Sequence, residues 1–256
     1  MAKLRAAVLA AGRGVRMGGR KPKTLLEVGD KEPLLHYILA GLQAAGVEDL
    51  MVVTGFEPGQ VQGFVNDRWD EDKVTYVFNA RYASWGNFHT VRMALDQSPG
   101  MNLLCVNSDV VVHPDVYRRV ADTPGDLVLA VQKRPPHRLD QEDMRVHLEG
   151  NRVRGIGKDL SMALSHGEFA GVSLIRPAAA RPYLDMATNL EWRAATTLYY
   201  EDIYGAILPG IDARAALVPG DQYAEVDTPD DLQSAIQVIE ANSDAWGARE
   251  AAAPSA

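Results

Sequence analysis

At 256 residues, with 46% hydrophobic and 23% charged residues, the chain has the makeup of a globular protein large enough for one sizeable α/β domain. No apolar run reaches the ~18–20 residues that a bilayer crossing requires, and a formal net charge of −8 argues against a general nucleic-acid binder. The single cysteine, Cys105, lies in Leu103-Leu104-Cys105-Val106 and reads as a core thiol; a lone cysteine suits a reducing cytoplasm.

The N-terminus sets Lys3 and Arg5 ahead of an apolar stretch, Ala6 to Ala11. That stretch falls short of the ~7–15 residues of a signal-peptide core and runs into Gly12-Arg13-Gly14, so Leu4–Ala10 reads as a buried strand. Leu34–Ala45 follows as a helix closed by Gly46, then Leu50–Thr54 as a strand and Pro58–Asp67 as a helix with proline in its first turn. Val74–Phe78, Met101–Val106 and Leu127–Gln132 read as strands, with helices at Asn87–Asp96 and Pro114–Ala121 between them. This alternation predicts a Rossmann-like three-layer αβα sandwich around a mostly parallel mixed sheet.

The pattern changes after Gln132. Lys133–Asp143 is polar, carries Pro135-Pro136 and reads as a loop, while Met144–Glu149 and Arg152–Gly157 alternate as a hairpin around Gly150-Asn151. Glu168–Ile175 is a strand, Ala178–Ala187 and Thr197–Leu208 are helices, and strand segments flank Val218 and Ala224–Val226. Pro229–Glu240 is a last helix, opened by Asp227 or Thr228 as its cap. Residues 1–241 are expected to form one domain. Its second half (133–241) would add a small β-hairpin/helical insertion to the first (1–132). The Ala/Ser-rich residues 242–256 read as a flexible tail.

Charge is unevenly placed. Residues 1–23 hold Lys3, Arg5, Arg13, Arg16, Arg20, Lys21 and Lys23 and no acid, on a chain with 26 basic and 34 acidic residues. Such a cationic patch on an acidic protein suits a compact polyanion. The loop after the first strand, Leu9-Ala10-Ala11-Gly12-Arg13-Gly14-Val15-Arg16-Met17, fails two familiar phosphate patterns. Met17 stands where a dinucleotide fingerprint needs a small residue, and Arg20-Lys21 follow Gly19 where a Walker loop needs Lys then Ser/Thr. What remains are small residues that let backbone N–H groups approach phosphate oxygens, with cations beside them.

With Pro22, Lys23 and Leu25, this stretch closely resembles the nucleotidyltransferase loop L-A-A-G-x-G-x-R-M…P-K-x-L. The resemblance implies that Leu9, Ala10, Ala11, Gly12 and Gly14 cradle the nucleotide. It also implies that Arg16 contacts the β- and γ-phosphates, that Lys23 contacts the transferring phosphoryl group, and that Arg13 supports them; Arg20 and Lys21 read as solvated loop cations. The same resemblance makes Asp109, in the Asn107-Ser108-Asp109 strand end, and Asp227, in Glu225-Val226-Asp227-Thr228, the ligands of a Mg²⁺ ion. Mg²⁺ needs few protein carboxylates when phosphates and water complete its shell. Read from the residues alone, Asp109 is a turn aspartate and Asp227 a helix cap.

Asn79-Ala80-Arg81-Tyr82 and Trp85-Gly86-Asn87-Phe88-His89-Thr90 resemble a stretch of the cytidylyltransferases that act on phosphocholine, 2-aminoethylphosphonate and related compounds. Glu142–Val146, Gly157-Lys158-Asp159, Gly167–Gly171 and Tyr200-Glu201-Asp202 extend the likeness. It covers residue 4 to about residue 236, and it implies CTP as donor, bound by the half 1–132, and a small phosphorylated or phosphonylated acceptor, bound by the half 133–241, which also supplies the metal aspartate Asp227. Asn87, Thr90 and Ser108 would then reach nucleotide oxygens and Lys158 would clamp the acceptor's phosphoryl group. Glu168, Glu201 and Asp202 would hold an acceptor amine or a second metal ion. His89, and Gly157 before Lys158, depart from the pattern. Trp85 and Phe88 read as core aromatics before they read as an ammonium platform. His36, His113, His137, His147 and His166 lack zinc spacing, and Ser108 lacks a nucleophile elbow. Two other readings stand: transfer to a sugar-1-phosphate from UTP, GTP or dTTP, and a non-catalytic nucleotide sensor. The sequence leaves monomer and homodimer both open.

Overall fold

The computed structural model describes residues 2–14, 19, 21–28, 32–191 and 198–246. In chain order its first half comprises β1 (Leu4–Ala10), β2 (Glu27–Val28), β3 (Glu32–Pro33), α1 (Leu34–Ala44), β4 (Leu50–Thr54), α2 (Pro58–Asn66), β5 (Val74–Phe78), α3 (Phe88–Asp96), β6 (Asn102–Asn107), β7 (Val110–Val112), α4 (Pro114–Asp122) and β8 (Leu127–Lys133). The second half comprises β9 (Arg145–Glu149), β10 (Arg152–Gly157), β11 (Gly167–Ile175), α5 (Pro177–Glu191), α6 (Tyr200–Ile207), β12 (Ala213–Val218), β13 (Tyr223–Glu225) and α7 (Leu232–Ala241).

Nine strands form one sheet in the order β5-β4-β1-β6-β11-β8-β12-β10-β9. The strands β5, β4, β1 and β6 run parallel, so the chain winds outward from β1 and then crosses back over it to β6. That reversal makes a crevice outside the carboxyl ends of β1 and β6, where open α/β sheets bind ligands. Strand β11 is antiparallel to both β6 and β8, which carries its first residues, Gly167 to Gly171, to the same edge as the ends of β6 and β8.

The central strands are apolar on both faces, as a doubly covered sheet demands. In β1, Ala6, Val8 and Ala10 pack in one core with Leu35 and Ile38 of α1, Val61 of α2 and Val116 of α4. Ala7 faces the other way, with Met51, Leu103 and Cys105, against Val91 of α3, Tyr183 of α5 and Tyr204 of α6. The result is the expected three-layer sandwich. A third core joins α7 to α1 and β7 through Ala235, Val238, Tyr37 and Val111.

The expected hairpin β9–β10 joins the main sheet: Arg152 pairs with Arg214 of β12, and Val146 and Arg145 pair with Gly167 and Glu168 of β11. One expectation needs correcting. The tail does not begin at Asn242. Residues Ser243–Trp246 form a 3-10 turn, and Trp246, only 8% exposed, packs edge-on against Tyr37 at 5.8 Å between ring centroids. A large aromatic recovers enough apolar burial to hold the segment down. The rest of the predicted tail, 247–256, lies outside the described residues.

Candidate active site

Two residues 118 positions apart meet because of a short antiparallel pairing. Strand β13 runs against β7 with Glu225 opposite Val110, and the Val226 N–H donates to the Asp109 carbonyl at 2.8 Å. Period-two alternation then puts Glu225 and Asp227 on one face of their segment, beside Asp109. Oxygens from Asp109, Glu225 and Asp227 lie within 4.8 Å of one another. The cap of the final helix is built by Asp231, which accepts from the Asp227 and Thr228 N–H groups and from the Thr228 hydroxyl.

Lys23 stands against these acids. Its ammonium donates to Asp109 Oδ2 at 2.9 Å and to Asp227 Oδ1, with its side chain only 13% exposed. Burial would depress its pKa, but Asp109 and Asp227 together outweigh that and hold it above the ordinary lysine value. Although Glu225 opens onto the cleft, the protein around it, and then the neighbouring Asp109 and Asp227 carboxylates, raise its carboxyl to about 8. Three crowded acids are a place for positive charge.

The donor set fits a hard divalent cation such as Mg²⁺. It is all oxygen, and Asp109 Oδ1 is buried without a hydrogen-bond partner among the described residues.

The glycine-rich loop holds Lys23 in place. A Cβ at Gly14, whose φ is +64°, would sit 2.6 Å from Lys23 Cβ, so only glycine lets the loop approach the lysine stem. Ala10 and Ala11 are buried, Leu9 is half-buried, and Gly12 is exposed with open space beside it. Arg13 donates to the Gly19 carbonyl at 3.2 Å and lies over the Phe56 ring at 5.2 Å, so its contacts here shape the loop. Arg16 and Arg20 lie outside the described residues.

From the acids a cleft of about 1280 Å³ extends across the C-terminal sheet edge. Glu168 lines it and pairs with Arg134 at 2.8 Å. Burial raises the Glu168 carboxyl to about 8; Arg134 opposes the rise and Asp143 adds to it. Lys158, at the end of β10, donates to Glu142 at 3.0 Å and lies over the Tyr199 ring at 5.3 Å. Glu201 lines the same cleft at 4% exposure. Its Oε2 has no hydrogen-bond partner among the described residues. Burial raises its carboxyl to about 8, with its own backbone and Tyr200 opposing.

Not every expected residue faces this space. Asp202 accepts from the Tyr199 N–H at 2.7 Å and caps α6 outside the lining of the cleft. Thr90 is buried and accepts from the Asn79 side chain at 3.1 Å. Asn87 does line the cleft, but its side-chain carbonyl holds the start of α6 by accepting from the Tyr200 N–H. Ser108 sits in the turn before Asp109 and is not part of the lining. Phe88 is fully buried and stacks with Trp85, whose ring carries Arg81 at 4.2 Å. Sequence reasoning missed Glu225, although its two-residue spacing from Asp227 was a usable signal, and it missed Arg134 and Tyr199, for which no local signal existed.

Comparison with known proteins converges on one family. Residues 6–183 match the MobA-like NTP transferase domain. The CMP-5'-(3-aminopropyl)phosphonate synthase of Streptomyces rubellomurinus is 30% identical over 251 residues, covering 91% of this chain and 38% of that protein. The bifunctional IPC transferase and DIPP synthase of Rubrobacter xylanophilus is 33% identical over 238 residues, covering 91% of this chain and 51% of that protein. The chain therefore spans between a third and about half of the length of these two relatives. Among solved structures, the CTP:phosphocholine cytidylyltransferase of Streptococcus pneumoniae superposes with a TM-score of 0.76 at 20% identity, covering 93% of this chain and 99% of that one. The inositol-1-phosphate CTP transferase of T. maritima gives 0.74 at 18% identity, covering 94% and 98%. The chain belongs to the family of MobA-like NTP transferase domains, a nucleotidyltransferase family.

Proposed function

We propose that this protein is a Mg²⁺-dependent cytidylyltransferase that transfers CMP from CTP to a small acceptor bearing a phosphonate or phosphate monoester, releasing pyrophosphate. The observation that carries the reading is the convergence of Lys23 with Asp109, Glu225 and Asp227 beneath the glycine-rich loop. The aminopropylphosphonate relative supports CTP and a phosphonate acceptor. A buried, sensor-type site would need affinity alone, whereas this one concentrates charge where a bond to phosphorus would break.

In this reading an acceptor oxyanion, already ionised at neutral pH, attacks the α-phosphorus of CTP as the bond to the pyrophosphate oxygen breaks; no proton moves and no covalent enzyme intermediate forms. Asp109 and Asp227, with Glu225 beside them, would hold a Mg²⁺ ion, which would supply charge neutralisation on the α-phosphate. Lys23 leaves the two aspartates for the transferring phosphoryl group, and Arg16 steadies the outer phosphates. Lys158 orients the acceptor's phosphoryl group at the other end of the cleft, and Glu168 and Glu201 face an amine on the same molecule. The loop residues Leu9 to Gly14 cradle the nucleotide. CTP and magnesium are cytoplasmic reagents, and the reading places the protein there. Among the described residues no helix is long and apolar enough to cross a membrane.

Pyrophosphate release measured over four NTPs and a panel of phosphonates, phosphate monoesters and sugar-1-phosphates tests the reading. CTP with a phosphonate or phosphate monoester should be the productive pair. Release confined to UTP, GTP or dTTP with a sugar-1-phosphate would replace it with the sugar-nucleotide reading.

A further inference from the structure

Leu103, Cys105 and Asn107 alternate onto one face of β6. The first two are buried in the core formed with α3, α5 and α6. Asn107, at the end of the strand, is half-buried and lines the cleft. An amide thus stands where the apolar stripe would otherwise continue, two residues before Asp109.

The amide is oriented from behind. Tyr200, a residue only 1% exposed, donates its hydroxyl to Asn107 Oδ1 at 2.7 Å. Tyr200 is itself fixed: its N–H donates to Asn87 Oδ1 at 2.9 Å, and its ring meets Phe169 and Tyr204 edge-on. Glu201 hydrogen-bonds the same hydroxyl, but burial raises its carboxyl to about 8. Near neutral pH it is therefore protonated and leaves the hydroxyl's own proton to Asn107. With Oδ1 engaged, Nδ2 is turned the other way, and it has no hydrogen-bond partner among the described residues.

The strand opposite makes room for this amide. Gly171 lies where the pairing of β11 with β8 shifts register, between Phe169 and Ser173, and such irregularities re-aim groups beside active sites. A Cβ at Gly171 would lie 3.1 Å from Asn107 Cβ and 3.2 Å from Nδ2.

Charge explains why the donor is an amide. An ammonium near Asp109 and Asp227 is drawn into ion pairs with them, as Lys23 is. A neutral amide is not, so it stays open to a ligand. Donors held in place before the reaction, and aimed where charge develops, stabilise a transition state without any reorganisation.

Building on the cytidylyltransferase reading, we infer that Asn107 is a catalytic residue whose Nδ2 donates to a non-bridging oxygen of the transferring α-phosphoryl group, and that Tyr200 is the positioning residue that holds it there.

The test reads kcat at saturating substrates and, separately, CTP affinity by calorimetry without acceptor, for Asn107→Ala, Tyr200→Phe and the double variant. Asn107→Ala should lose roughly 10²–10³-fold in kcat, with CTP affinity changed less than about threefold. Tyr200→Phe should lose about 10-fold in kcat. The double variant should lose no more than Asn107→Ala alone, because Tyr200 acts through the amide. A purely structural pair would shift Tm and leave kcat of the folded chain near wild type. Asn107→Asp keeps the shape and the acceptor for Tyr200 but lacks the amide donor. It should match Asn107→Ala, and it replaces that variant if circular dichroism shows it unfolded. Wild-type kcat in either folded Asn107 variant overturns the assignment. So does a loss confined to CTP affinity, or a double variant in which the two losses multiply. Each of these leaves nucleotidyl transfer intact. A wild-type chain that releases no pyrophosphate with any NTP and acceptor overturns both this inference and the reading beneath it.

Discussion

Gly171 and Gly100 share almost the same backbone angle, φ +69° and +70°, yet they sit at opposite ends of the sheet. An alanine at either must adopt a left-handed conformation, at a cost of about 1–2 kcal/mol. At Gly100, in the turn leading into β6, a Cβ meets nothing within 4 Å. At Gly171, in β11, it would lie 2.8 Å from Val110 Cγ1 and 3.1 Å from Asn107 Cβ, so the turn carrying Asp109 must yield by roughly half an ångström to restore ordinary contact, at a further ~1–3 kcal/mol. Thermal unfolding should therefore place Gly100→Ala a few degrees below wild type and Gly171→Ala clearly lower, at about 2–4 °C per kcal/mol. Misplacing a catalytic group by 1 Å costs up to ~10²-fold in rate, so Gly171→Ala should lose about 10-fold in kcat for pyrophosphate release while Gly100→Ala loses almost none. Wild-type turnover in Gly171→Ala, or equal losses in both variants, would refute the reasoning.

Asp109→Asn and Lys23→Ala should each lower kcat by roughly 10²-fold or more with circular dichroism unchanged; near-normal turnover in either would remove that residue from the mechanism. Glu201 offers a stability test independent of activity. Its folded-state pKa, about 8, lies above the ordinary 4.5, so the carboxyl costs nothing below about 4.5, and the cost grows until pH passes about 8. Glu201→Gln should gain Tm relative to wild type between pH 5 and pH 9; a constant difference would show that the carboxyl is not buried as described. Trp246→Ala should cost about 3–5 kcal/mol in denaturant unfolding, and a cost below 1 kcal/mol would return residues 242–246 to the flexible tail.

Most of the fold was legible because it is written in local periodicity. Leu4–Ala10, Leu50–Thr54 and Val74–Phe78 form strands with the limits read from the sequence, since runs apolar on both faces between turn residues have few other destinations. The antiparallel insertion of β11 between β6 and β8 was not legible, because strand direction is a property of pairing and leaves no mark in composition. Trp246 was misassigned because its alanine-rich neighbours hide one anchoring ring. In the site, Lys23, Asp109 and Asp227 were found through a long motif, and the structure brings them together. The capping of α6 by Asp202 and the pairing of Thr90 with Asn79 were not legible, because short polar side chains at helix starts are as readily engaged in capping and core pairing as by ligands. The Arg134–Glu168 pair joins side chains 34 residues apart, one just past the end of β8 and one in the neighbouring β11, and only tertiary contact reveals it.

The central claim is that one metal–triphosphate gathers the lysine and the separated acids. A crystal structure with a non-hydrolysable CTP analogue and Mn²⁺, the ion located by anomalous scattering, tests it most directly. The account predicts Mn²⁺ at about 2.1 Å from carboxylate oxygens of Asp109 and Asp227, with Lys23 Nζ moved off both onto a phosphate oxygen. An ion bound elsewhere, with Lys23 still bridging the two aspartates beside a bound nucleotide, would contradict it.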